Sequence, residues 1–125
     1  MGRMSKAKGK RGERECAAEL AAVLGVSARR GVQYQGSTDS PDVIVEGLPV
    51  HVEAKRVERL ALWPAIDQAV ADAGDKVPLV WHRCNRRESV VIVRTCDLAR
   101  LVEALQNATA ERSEPAKLAG PSVNC

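Results

Sequence analysis

The chain has 125 residues, of which 45% are hydrophobic and 28% are charged, and its formal net charge is +3. This length and balance predict one globular domain with its own core and exclude a wholly disordered chain. No apolar run reaches the roughly 18 residues of a membrane span, and the basic N-terminus lacks the apolar segment of a secretory signal. The four cysteines form no closely spaced pair, which argues against a zinc site and predicts free thiols in a cytoplasmic protein.

The first half of the chain predicts a basic arm, one helix and three strands. Residues 1–10 are basic and aperiodic, so we expect a flexible arm there. Between residues 12 and 24 apolar residues recur at helical spacing, and Gly25 follows as a C-cap. Strands are predicted at residues 28–34, 42–45 and 50–55, the last two joined in a hairpin by the turn at 46–49. The apolar stripe of the helix is Cys16, Ala17, Leu20, Val23 and Leu24.

The second half of the chain predicts two helices and two further strands. Residues 60–73 have a helical pattern, in which Pro64 is tolerated only in the first turn. Strands follow at 77–82 and 89–94, and Thr95 is the expected N-cap of a last helix. We expect apolar contacts from Leu62, Ile66, Ala69, Val70 and Ala73 in the first of these helices, and from Leu98, Leu101, Val102 and Leu105 in the last.

Together these elements predict an α/β fold in the order α-β-β-β-α-β-β-α, with a mixed five-stranded sheet flanked by helices. Residues 11–107 would form the folded domain. Residues 108–125 show little periodicity, so we expect a disordered C-terminal tail.

Basic residues are clustered rather than evenly spread. Residues 1–14 carry six lysines and arginines against one acid, Glu13, and further basic clusters lie at 29–30, 55–56 and 83–87. Such clustering is typical of proteins that bind a polyanion, although a solvated basic tail is the alternative. The chain has only two Trp, one Tyr and no Phe, which argues against single-stranded bases stacked on rows of aromatic side chains.

Two acids and a lysine on the predicted hairpin could form a catalytic centre. Side chains alternate along a strand, so Glu53 and Lys55 share one face with His51. The hairpin would bring Asp42 beside Glu53. Two neighbouring carboxylates repel each other unless a cation lies between them, and Mg²⁺ prefers such oxygen ligands. Lys55 would then hold or deprotonate a metal-bound water, or neutralise charge on a phosphate.

Two further residues extend this set, and each member also has an ordinary structural interpretation. Glu13 could complete the acidic cluster, and Gln68 lies on the helix that follows Lys55. Taken singly, the E-x-K sequence could be a solvated charge ladder and Pro-Asp could be turn chemistry. Glu13 could be an exposed first-turn acid, Gln68 a surface residue, and His51 a neighbour on the strand face rather than a ligand. The order and spacing of the whole set favour the functional interpretation.

The pattern Glu13…Pro41-Asp42…Glu53-Ala54-Lys55 resembles the PD-(D/E)xK nuclease superfamily. Within that superfamily, the opening residues 8–15 resemble archaeal-type Holliday junction resolvases and their phage-encoded relatives. The likeness covers residues 8–105 and implies a restriction-endonuclease-like core of αβββαβ order. Its other matching features are the pair Lys8-Gly9, the run Gly12-Glu13-Arg14-Glu15, the basic pair Arg29-Arg30, the loop residues Gly36-Ser37 and the stretch 52–75.

The resemblance also implies roles for individual residues. Asp42, Glu53 and Glu13 would bind Mg²⁺, for which Mn²⁺ could substitute. Lys55 and Gln68 would complete the catalytic set. The loop at 37–42 is longer than in archaeal members, which makes Asp39 a rival carboxylate. The expected DNA contacts are Lys8, Lys10, Arg11, Arg14, Arg29, Arg30, Ser37 and Arg56.

The resemblance implies a metal-dependent endodeoxyribonuclease that resolves four-way DNA junctions by paired hydrolysis of phosphodiester bonds. Such an enzyme would act in DNA recombination and repair, in the cytoplasm of a bacterium or a phage-infected host cell. Paired symmetric cuts need two active sites, hence a homodimer on branched DNA. Leu60, Leu62 and Trp63 could form the dimer contact or could pack inside the monomer. Two alternatives are a repair- or restriction-type nuclease on duplex, flap or nicked DNA, and a non-catalytic DNA-binding module.

Overall fold

The computed structural model describes residues 2–31 and 42–112, with side chains for 9–31 and 42–108. Within these ranges, no helix has the length and hydropathy needed to cross a bilayer. The elements in chain order are α1 (Gly2–Leu24), β1 (Ala28–Arg30), β2 (Val43–Val45), β3 (Val50–Arg56), α2 (Leu62–Ala73), β4 (Val77–Arg83), β5 (Val90–Ile92), a 3₁₀ turn (Thr95–Asp97) and α3 (Leu98–Arg112).

The five strands form one sheet in the order β1-β2-β3-β4-β5. The β3–β4 pair is parallel, and the other three pairs are antiparallel. The parallel pair needs a crossover, which α2 supplies, as is usual for a β-α-β connection. The predicted α/β class and the mixed five-stranded sheet flanked by helices are confirmed.

The larger part of the core lies between α1 and one face of the sheet. Val50 and Val52 of β3 are buried there against Cys16 and Leu20 of α1. Burying several such aliphatic side chains, at about 1.5–3 kcal/mol each, is the main force that holds α1 on the sheet. The same cluster also contains Ala17, Val43, Val45, Leu48, Val77, Leu79, Trp81 and Ala104.

The second face of the sheet is covered by α2. Ala65, Ile66 and Ala69 pack against Val80 of β4 in a smaller apolar cluster. The small alanine side chains allow α2 to lie close to the strands. Strand residues that alternate with those of the first cluster therefore lie under α2. On β3 these include His51 and Glu53, which are both buried.

Both terminal helices are longer than the sequence predicts. α1 begins at Gly2, and residues 2–10, predicted as an arm, are helical. Lys, Arg, Met and Ala in this stretch have good helix propensity. The arm is predicted from the lack of apolar periodicity, which does not take this propensity into account. α3 continues to Arg112, beyond the predicted boundary at 107. Residues 32–34 of the first predicted strand and residues 113–125 of the predicted tail lie outside the described residues.

Several predicted burials are wrong. Val23 is 73% exposed, and Leu98 and Val102 are each 46% exposed. The contact stripe of α3 consists of Leu101, Ala104, Leu105 and Ala108 instead, so Leu98 and Val102 lie beside it. Leu62, at the start of α2, is 38% exposed.

Thr95 is not the N-cap of the last helix, because it lies inside the 3₁₀ turn. The buried Asp97 fixes this turn. Its carboxylate accepts hydrogen bonds from Arg94 Nε at 2.8 Å and from Arg100 at 3.0 Å. These two guanidinium groups lower the pKa of Asp97, Arg94 most strongly.

Candidate functional site

Asp42 and Glu53 meet at the junction of β2 and β3. Val43 pairs with Val52 across these strands, so Asp42 precedes one partner and Glu53 follows the other. The Asp42 amide donates to the Val52 carbonyl at 2.9 Å. The Ala54 amide in turn donates to Asp42 Oδ2 at 2.9 Å. The backbone of β3 therefore holds the Asp42 carboxylate beside Glu53.

The pKa of Asp42 rises to about 7, mainly because the carboxyl group is buried. The neighbouring Glu53 carboxylate is the next cause, and Glu13 adds to it, while the Ala54 amide acts in the opposite direction. Glu53 itself is only 2% exposed. The two carboxyl groups thus carry more negative charge at neutral pH than their surroundings compensate, and a proton or a cation relieves it.

Glu13 of α1 lies within electrostatic reach of this pair. Its charge raises the pKa of Asp42, so the three acids of the predicted set belong to one electrostatic cluster. Glu13 Oε1 also accepts a hydrogen bond from Arg30 Nε at 2.9 Å. This contact ties β1 to α1 and partly neutralises Arg30.

Lys55 lies two residues beyond Glu53 on the same strand face. Its Nζ donates to Gln68 Oε1 of α2 at 3.3 Å. Both residues line a surface cavity of about 240 Å³ between the end of β3 and the start of α2. The structure thus places Asp42, Glu53 and Glu13 in one electrostatic cluster. Lys55, two residues beyond Glu53 on β3, lies beside Gln68 at an opening to solvent.

His51 makes a contact that the sequence pattern does not predict. It is 1% exposed, and its Nε2 lies 2.8 Å from Glu53 Oε2. Asp72 of α2 offers a third ligand atom, and the ligand atoms of these three residues all lie within 4.8 Å of one another. The alternation along β3 predicts that His51 lies on the same strand face as Glu53. Asp72 follows Gln68 by four residues, and this spacing is the one indication that Asp72 lies on the same face of α2 as Gln68.

Among the described side chains, the basic residues predicted to bind DNA are either exposed on α1 or already ion-paired. Lys10, Arg11 and Arg14 are exposed on α1. Arg29 is ion-paired with Glu46 at 3.2 Å on the surface. The Lys8 side chain, Ser37 and the rival carboxylate Asp39 lie outside the described residues.

Arg56 belongs to an internal clamp instead. Its Nε donates to Glu15 Oε1 at 3.0 Å, and Arg83 of the adjacent strand donates to Glu15 Oε2. Gly12 allows this close approach of α1, since a Cβ there would lie 2.6 Å from the Cβ of Arg56. Arg56 therefore joins α1 to the carboxyl ends of β3 and β4.

Cys16 of α1 is fully buried and lies within electrostatic reach of the acidic cluster. Burial, followed by the charge of Asp42, raises the pKa of its thiol. The thiol therefore stays neutral and acts as an apolar core group. Cys84 and Cys96 are likewise free thiols.

Comparisons with protein-family models, with curated proteins and with solved structures found no match to this chain. The functional assignment therefore depends on the residues of the site and on the motif resemblance that they carry.

Proposed function

We propose that this protein is a metal-dependent endodeoxyribonuclease with a restriction-endonuclease-like core. The observation that carries the proposal is the contact between Asp42 and Glu53, together with Lys55, which lies two residues beyond Glu53 on the same face of β3. This is the chemical content of the PD-(D/E)xK pattern. We further propose four-way DNA junctions as the substrate, on the resemblance of residues 8–15 to Holliday junction resolvases.

The acidic pair fits a divalent cation. Asp42 and Glu53 are held together by the strand ladder, although burial and mutual repulsion raise the pKa of Asp42 to about 7. Carboxylate oxygens suit Mg²⁺, and Mn²⁺ accepts the same ligands. Asp42 and Glu53 would hold the ion, and Glu13 would add negative charge. A bound Mg²⁺ supplies a water of lowered pKa and neutralises phosphate charge.

The residues of the chain supply positioning and charge. Gln68 Oε1 fixes the Lys55 ammonium, which lies where it can meet the negative charge that develops on the phosphate during hydrolysis. In that reaction a water oxygen forms a new P–O bond, the strand P–O bond breaks, and the leaving oxygen takes up a proton. The 240 Å³ cavity beside Lys55 and Gln68 provides access from solvent.

DNA would approach along the exposed basic face of α1. Lys10, Arg11 and Arg14 are exposed there, on the same helix as Glu13. Arg30 and Arg56 already form ion pairs with α1 carboxylates, so we leave them out of the proposed DNA contacts. Phosphate contacts fix position without reading base sequence, which suits an enzyme that recognises branch shape.

A four-way junction has two-fold symmetry, so we propose a homodimer with one active site for each cut. Trp63 is 63% exposed and Leu62 is 38% exposed at the start of α2. These side chains are the proposed dimer contact, because they form an apolar surface close to the cavity beside Lys55.

The test is cleavage of a labelled four-way junction and a matched linear duplex, with Mg²⁺ or with EDTA. We expect symmetric, Mg²⁺-dependent cuts in the junction alone, and loss of these cuts in Asp42→Asn and Glu53→Gln. The matched control is Asp67→Asn, which changes an exposed aspartate of α2. Cleavage of both substrates would favour a repair- or restriction-type nuclease, and binding without cleavage would favour a non-catalytic module.

A further inference from the structure

Glu53 also belongs to a second group of metal-ligand side chains, on the face of β3 that α2 covers. His51 Nε2 is 2.8 Å from Glu53 Oε2, and a carboxylate oxygen of Asp72 completes a set within 4.8 Å. His51 and Glu53 are 1% and 2% exposed, and Asp72 is half-buried. This group is enclosed between β3 and α2, away from the opening at Lys55.

The fold builds this group from two regular elements. His51 and Glu53 are two residues apart on β3 and therefore lie on the same face, the one that α2 covers. Neither can leave that face without a register shift. Asp72 adjoins the buried Ala73, and Ala69 anchors the preceding turn of α2 against the sheet. Donors on a strand and a packed helix are held more rigidly than donors on a loop.

The group carries more negative charge than its neighbours compensate. It contains two carboxylates and one imidazole, and a single imidazole balances at most one negative charge. Among the described side chains, no lysine or arginine forms a hydrogen bond or an ion pair with Asp72. The Lys55 ammonium is directed to Gln68 instead.

The donor set distinguishes between metals. One imidazole nitrogen and two carboxylate oxygens suit Zn²⁺, Mn²⁺ or Co²⁺, whereas Mg²⁺ prefers oxygen ligands and retains its waters. His51 Nε2 and Glu53 Oε2 lie 2.8 Å apart, so both atoms can face a single ion bound at roughly 2.1 Å. A carboxylate oxygen of Asp72 lies within 4.8 Å of a ligand atom of each residue.

We propose that His51, Glu53 and Asp72 form a transition-metal site that shares Glu53 with the proposed Mg²⁺ site. A bound ion would fix Glu53 and tie α2 to β3. The binding site follows from its own geometry; its contribution to DNA cleavage rests on the proposed nuclease function.

The experiment uses the full chain, freed of metal by a chelator and titrated with Co²⁺. In the wild-type protein we expect a visible d–d absorption band and a paramagnetically shifted imidazole resonance. That resonance should disappear in His51→Gln and persist in His82→Gln, which changes the other histidine. Asp72→Asn should weaken Co²⁺ binding by at least about tenfold, whereas Asp67→Asn, an exposed aspartate on the same helix, should leave it unchanged. Asp42→Asn should keep the shifted resonance.

Absence of a shifted imidazole resonance in the wild-type protein would overturn the proposal, and this readout requires no variant to fold. Equal Co²⁺ affinity in Asp72→Asn and Asp67→Asn, with both folded by circular dichroism, would overturn it as well. Junction cleavage in Mg²⁺ is measured separately. Imidazole-bound Co²⁺ without cleavage would retain this site and reject the nuclease, whereas cleavage without imidazole-bound Co²⁺ would do the reverse.

Discussion

Replacing Asp42 by Asn should stabilise the metal-free protein at high pH and do so much less at low pH. The pKa of Asp42 rises from 3.8 to about 7 in the folded protein, chiefly through burial and the charge of Glu53. An acid whose pKa is raised on folding binds protons more tightly in the native state, so stability falls as the pH rises between the two values. Asn removes the charge, and its amide oxygen can still accept the hydrogen bond from Ala54.

The expected size follows from the two pKa values. At pH 5 protonation of Asp42 stabilises the native state relative to the unfolded state, because only the native state binds this proton at that pH. At pH 8 Asp42 is ionised in both states, and this stabilisation is almost absent. The wild-type protein should therefore lose about 2.5 kcal/mol of unfolding free energy between pH 5 and pH 8 through this site, at 1.36 kcal/mol per pKa unit. The titration belongs to the Asp42–Glu53 pair as a whole, since the two groups are in contact.

The assay is urea unfolding of the wild-type protein, Asp42→Asn and the control Asp67→Asn at pH 5 and pH 8, each in EDTA. The advantage of Asp42→Asn over the wild type should grow by about 2.5 kcal/mol between the two pH values. Saturating Mg²⁺ at pH 8 should remove part of that advantage by stabilising the ionised pair of the wild-type protein. An advantage that is the same at both pH values would refute the argument that the Asp42 carboxylate is held in an unfavourable site.

Three further predictions address the clamp, the cavity and the dimer. Gly12→Ala should destabilise the protein by about 1–3 kcal/mol in urea unfolding, because the added Cβ meets the Arg56 side chain at 2.6 Å. Gly9→Ala, where nothing lies within 4 Å, should not destabilise it; equal losses would contradict the close approach. Lys55→Met should slow junction cleavage by about a hundredfold with unchanged junction binding in a gel-shift assay, and unchanged cleavage would remove Lys55 from the mechanism. Trp63→Ser should shift the protein towards monomer in sedimentation velocity, and an unchanged oligomeric state would place the dimer contact elsewhere.

The alternation along β3 was the most informative pattern in the sequence. Val50 and Val52 lie in the α1 core, and His51 and Glu53 lie on the opposite face. A strand has a fixed period of two residues, so one buried face determines the other. The hairpin was predictable for a similar reason, because the turn at 46–49 fixes which residues of β2 and β3 can meet.

Other features depend on distances in space that local periodicity does not encode. Asp72 approaches His51 only because α2 packs on β3 at a particular position and angle. The helical pattern of residues 60–73 does not determine that position or angle. Glu15 and Arg56 are 41 residues apart, and nothing in either segment indicates the pairing. Val23 continues the apolar stripe of α1 but is 73% exposed, since helical spacing does not show how wide a stripe the sheet will cover.

The bridge from Glu15 to the strand ends makes α1 part of a cooperative unit with the parallel strand pair. Arg56 and Arg83 are register partners at the carboxyl ends of β3 and β4, and Glu15 bonds to both. Detachment of α1 would leave two guanidinium groups side by side without their shared carboxylate. It would also remove Glu13, two residues earlier, from the acidic cluster. Hydrogen exchange should therefore show α1 opening in concert with β3 and β4, and a form that has lost this helix should have lost the assembled site with it.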